Sequence, residues 1–120
     1  MRVLIVESRK SLAQTWATYL RGQGWQVDVA HDQAGAIKVL NHEVVQIMLL
    51  DLVLDQGSAL AIADYAGYRQ PVLRVVFLTD TAVFSDGSIF RHCANACAFL
   101  QAETPVSDLA ALVEHYARAA

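Results

Sequence analysis

Basic residues are scarce in this chain. Nine Lys and Arg stand against twelve Asp and Glu in 120 residues, for a formal charge of −3. That balance offers no basic stripe of the kind a nucleic-acid surface needs. Lysine occurs only at Lys10 and Lys38, so none is available to any site built from the later part of the chain. Cys93 and Cys97 are the only cysteines, which excludes a disulfide framework; their spacing, with no nearby His pair, reads as two small buried residues rather than a metal site. No apolar run approaches the roughly 18 to 20 residues of a membrane span. Gly22 and Gly24 precede a strand-like segment instead of a helix, so no glycine-rich phosphate cradle is present. Met1 leads almost directly into an apolar run and leaves no room for a signal peptide; the expected location is cytoplasmic. The length suits one domain over residues 1–120.

What the chain has in quantity is apolar surface: 55% hydrophobic residues against 18% charged. Short runs rich in Val, Ile and Leu alternate with segments of helical period, the pattern of a parallel sheet covered on both faces. Strands are expected near Val3–Val6, Trp25–Ala30, Val44–Asp51, Leu73–Thr79 and Cys97–Leu100. Helices are expected after Ser8 or Ser11, after Asp32, after Ser58, near Ser88–Ala94 and after Pro105. Strict alternation with right-handed crossovers predicts an α/β, doubly wound, flavodoxin-like sheet of five parallel strands in the order 2-1-3-4-5.

Three of the apolar runs end on a polar side chain. Val3-Leu4-Ile5-Val6 ends at Glu7, Ile47-Met48-Leu49-Leu50 at Asp51, and Val75-Val76-Phe77-Leu78 at Thr79. In sheets of this type, ligands and chemistry gather at the carboxyl ends of the strands. Two carboxylates and a hydroxyl there suggest a metal or phosphoryl site. The segment Asp51-Leu52-Val53-Leu54-Asp55-Gln56-Gly57-Ser58-Ala59-Leu60 resembles the phosphoacceptor loop of response-regulator receiver domains. Phe77-Leu78-Thr79 resembles the strand whose terminal Thr or Ser contacts the phosphoryl group, and Ala94-Asn95-Ala96-Cys97-Ala98-Phe99-Leu100 the segment leading into the fifth strand.

The resemblance covers essentially the whole chain. It implies Asp51 as phosphoacceptor, with Glu7, Asp51 and the carbonyl of Val53 as magnesium ligands and Thr79 and Phe99 as phosphoryl-contact and switch residues. It also implies a histidine kinase or phosphotransfer protein as partner, no enzymatic activity of its own, and a role in phosphorelay signal transduction. The departures concern the same pocket. Ser8 stands where the family carries its second acid, Ala102 where it carries a lysine, and Asp80 where it favours a small residue. Each change weakens the offset of negative charge that phosphorylation of a carboxylate requires. Magnesium binding is therefore expected to be weak or absent, and Ser8→Asp is expected to strengthen it. A phosphorylation-independent pseudo-receiver, acting as an adaptor, is the competing reading; an unrelated flavodoxin-like enzyme lacks its own motif. With no output segment after Ala120, either regulator is expected to act through protein contacts. Val83, Phe84, Ile89 and Phe90 crowd one short segment, which suggests a homodimer through the 83–118 side.

Overall fold

A computed structural model of the chain describes residues 1–79 and 95–118. The chain alternates β1 (Arg2–Val6), α1 (Lys10–Gly22), β2 (Gln26–Ala30), α2 (Gln33–His42), β3 (Ile47–Asp51), α3 (Ala59–Arg69), β4 (Arg74–Thr79), β5 (Ala96–Gln101) and α4 (Val106–Arg118). The strands form one sheet in the order β2-β1-β3-β4-β5, every neighbouring pair parallel. Both order and direction agree with the alternation in the sequence. The short helix expected near residues 88–94, the residues Val83, Phe84, Ile89 and Phe90, and Asp80 and Cys93 all lie outside the described residues.

Alternate side chains of a strand point to opposite faces, and the two cores follow from that. Leu4, Val6, Met48, Leu50, Val75 and Phe77 pack beneath α2 and α3. Val3, Ile5, Ile47, Leu49, Val76 and Leu78 pack on the other face with Trp16 and Leu20 of α1 and Leu109 and Val113 of α4. Residues of β3 are buried on both faces, which is why its sequence is an unbroken apolar run. β3 begins at Ile47 and not at Val44, which stays 73% exposed in the preceding loop. Gln70 fixes that loop: its Oε1 accepts from Val45 N at 2.8 Å, and its Nε2 donates to the carbonyls of Leu40 and Glu43.

Two helix starts behave as their sequences suggest. Asp32 Oδ1 accepts from Gly35 N at 2.8 Å, and Ser58 Oγ from Ala61 N at 3.2 Å. The first helix differs. Neither Ser8 nor Ser11 caps it; its N-cap is Arg9, whose guanidinium has no acceptor to offer the helix start, while the Ser8 hydroxyl is taken up by His31 O and Asp55 N. On β2, Gln26 N donates to Met1 O and Ala30 O accepts from Glu7 N, the residues on either side of β1, so Val27 and Val29 direct their backbone groups outward. Arg21 donates to one of these, Val27 O, at 3.0 Å.

Candidate functional site

Parallel register brings the strand ends together. Val6 pairs with Leu50 and Asp51 with Leu78, so Glu7, Asp51 and Thr79 follow one another across three adjacent strands. All three are buried, at 0%, 5% and 1% exposure. The expected convergence is therefore found.

Arg9 completes the cluster, and the sequence reading missed it. Its Nε and Nη2 each lie 2.7 Å from Glu7 Oε1, and Nη2 lies 3.3 Å from Asp51 Oδ2. One guanidinium thus spans both acids. The only sequence signal was its position, two residues after Glu7 at the mouth of the same strand. Asp51 Oδ1 accepts from Val53 N at 2.9 Å, a bond that sets the carboxylate's orientation from within its own loop.

Glu7 is an acid in an apolar wall. Its carboxyl is pushed up to about 8, first by burial, then by the hydrogen bond and negative charge of Asp51, with Arg9 opposing the shift. Its Oε2 is buried and accepts no donor. Both facts have one physical cause: an oxygen facing another carboxylate gains a partner only when one of the two carries a proton.

Ser8 has structural work. Its hydroxyl donates to His31 O at 3.2 Å and accepts from Asp55 N at 2.9 Å, joining the loops that follow β1, β2 and β3. A carboxylate could accept from Asp55 N but would set a negative oxygen against the His31 carbonyl. His31 Nδ1 lies 2.9 Å from Glu7 O. The loop after Asp51 is also tied to α2, where Gln33 Oε1 accepts from Ser58 N at 2.9 Å and Gln33 N donates to Gln56 O. Ala102 is buried, and its N donates to Thr79 O at 2.8 Å, so that position carries backbone pairing and no cation. Phe99 is half-buried on β5 against the α2–α3 core.

The model of the response regulator receiver domain matches residues 3–112. This chain belongs to that family. Receivers of this family are the receiving domains of response regulators in two-component signalling. Among curated relatives, the transcriptional regulatory protein DltR of Streptococcus agalactiae is 32% identical over 82 residues, 66% of this chain and 35% of that protein. The receiver therefore spans about a third of the length of that relative. Its fold is similar to the CheY-like receiver domain protein of Methanospirillum hungatei JF-1, with a TM-score of 0.89 at 18% identity over 98% of this chain and 93% of the other. A response regulator of Burkholderia pseudomallei, solved with a phosphorylated aspartic acid, calcium ion and citrate, gives a TM-score of 0.81 at 23% identity over 95% and 71% of the chains.

The family implies a divalent cation at this site, and the oxygens of Glu7, Asp51 and Val53 are of the hard type that magnesium takes. Their arrangement does not fit it. The guanidinium of Arg9 stands against both carboxylates, and among the described residues no group of three or more His, Cys, Asp or Glu is gathered to hold a metal.

Proposed function

We propose that this receiver carries its phosphoacceptor position at Asp51, takes a phosphoryl group there slowly or not at all, and signals through protein contacts without enzymatic activity of its own. The burial of Asp51 at the end of the central strand, beside Glu7 and Thr79, is the observation that supports the position. Transfer would form a bond from an Asp51 oxygen to phosphorus and break the bond from phosphorus to the donor. The donor suited to the family is a phosphohistidine of a kinase or phosphotransfer protein. Adding an anionic group beside Glu7 is opposed by the absence of a cationic side chain at Ala102 and of a second acid at Ser8 to help bind a metal.

A phosphorylation-independent adaptor is favoured over a fast phosphorelay receiver by one observation in particular: the charge of Asp51 is already met by Arg9. The measurement is intact mass after incubation with magnesium and a small acyl phosphate. The expected outcome is little or no phosphoryl adduct on the wild type. Rapid, stoichiometric modification that Asp51→Asn abolishes would keep the position and overturn the slow reading. An adduct that survives Asp51→Asn would overturn the position itself.

A further inference from the structure

The misfit between this pocket and a divalent ion leads to Arg9. We propose that Arg9 is the resident cation of the pocket, a tethered substitute for a metal ion, and that its guanidinium is what keeps divalent cations out. The inference rests on the reading of Glu7 and Asp51 as the receiver's acidic pocket and adds the means by which that pocket is held closed.

Arg9 sits at the N-cap of α1, with extended backbone (φ −80°, ψ 101°) and no capping bond. An arginine has no acceptor to offer a helix start; this one is directed at the strand ends, with Nε and Nη2 on Glu7 and Nη2 also on Asp51. Guanidinium is charged at every relevant pH and carries its donors in a fixed fork, so two neighbouring carboxylates suit it well. Being attached two residues from Glu7, it acts at an effective concentration of roughly millimolar or above, against which a free ion must compete. Magnesium must in addition shed strongly held water and find near-octahedral oxygen ligands.

Two further observations make the substitution consequential. Arg9 is 45% exposed, so solvent reaches the guanidinium and exchange with a dissolved ion has a route. Glu7 Oε2 is buried without a donor even with Arg9 in place, so the pocket retains an oxygen that Arg9 leaves unserved. Removing the guanidinium leaves two buried acids, Glu7 and Asp51, without this cation. A divalent ion can then relieve them.

The test is magnesium titration by calorimetry, with thermal melts in chelator and in about 10 mM magnesium chloride, a range in which a newly formed site raises the melting temperature by mass action. Wild type, Arg9→Ala, Arg9→Gln and Asp51→Asn are compared. The expected result is that Arg9→Ala and Arg9→Gln melt lower than wild type in chelator, regain stability in magnesium, and bind the ion roughly tenfold or more tightly. Arg9→Gln retains bulk and polarity, so it serves if Arg9→Ala does not fold. A merely structural arginine would give lower melting in both variants with no magnesium-specific recovery, which would overturn the proposal. If Asp51→Asn abolishes wild-type binding while the Arg9 variants gain nothing, Arg9 is not the gate but the acidic pocket stands. If magnesium binds equally to all four proteins, the ion sits elsewhere and the reading of the pocket falls with the proposal.

Discussion

Glu7 shows how one residue ties stability to pH in this receiver. Its carboxyl rises from 4.5 in the open chain to about 8 in the fold, so the native state holds a proton that the unfolded state releases. Stability from this group is then fully present below about pH 4.5 and is lost as pH rises through about 8. Denaturant melts in chelator should show wild type losing stability from pH 5 to 8.5, at a slope of up to about 1.4 kcal/mol per pH unit. Glu7→Gln, neutral at every pH, should flatten the profile, and the difference between the two isolates the contribution of Glu7. Equal slopes would show that Glu7 is ionised in the fold. The same scale shows what could be read in the sequence. Glu7, Asp51 and Thr79 were legible because each closes an apolar run. Arg9 was not, because a charge two residues beyond a strand reads as solvated until the register of β1 against β3 is known. Ser8, read from the sequence as a lost ligand, also makes two hydrogen bonds that join three loops, which the sequence did not signal. Ser8→Asp is accordingly a poorer route to metal binding than its charge alone suggests.

At the scale of elements, the loop between β3 and α3 is held at three points. Asp51 Oδ1, Ser8 Oγ and Gln33 Oε1 accept from Val53, Asp55 and Ser58 in turn. Gly57 makes the third of these attachments workable. Its φ is +102°, and a Cβ there would lie 2.4 Å from Gln33 Cβ, so only glycine lets the loop approach α2 this closely. Gly57→Ala should therefore lower stability by about 1–3 kcal/mol, measured by urea denaturation, from the strained backbone alone. A cost under a few tenths of a kcal/mol would mean the loop re-forms away from Gln33. Helix boundaries were legible where a cap used its side chain, as at Asp32 and Ser58. The start of α1 was misread for a physical reason: the Ser8 hydroxyl is engaged by His31 O and Asp55 N, and Ser11 lies inside the helix.

Over the whole molecule, the order of the sheet was legible because alternation and crossover handedness leave few arrangements. The split into two cores followed from the two-residue period of each strand. Partner surfaces were not legible in the same way, since contact faces have no period, and the apolar cluster from Val83 to Phe90 lies outside the described residues. The exposed rim of β2 is a different matter. A strand at the border of a sheet offers unpaired donors and acceptors to any passing extended segment. Here Arg21 occupies one of the outward carbonyls, that of Val27, and places a positive charge along the rim. The guanidinium acts as a stopper that leaves this border a poor template for a sixth strand. Removing it as Arg21→Ala should leave the melting temperature nearly unchanged while raising light scattering during prolonged incubation at high concentration. An unchanged scattering record would show that the border is guarded by other means. The same arginine that ends a helix thus helps decide whether the sheet stays the size its sequence specifies.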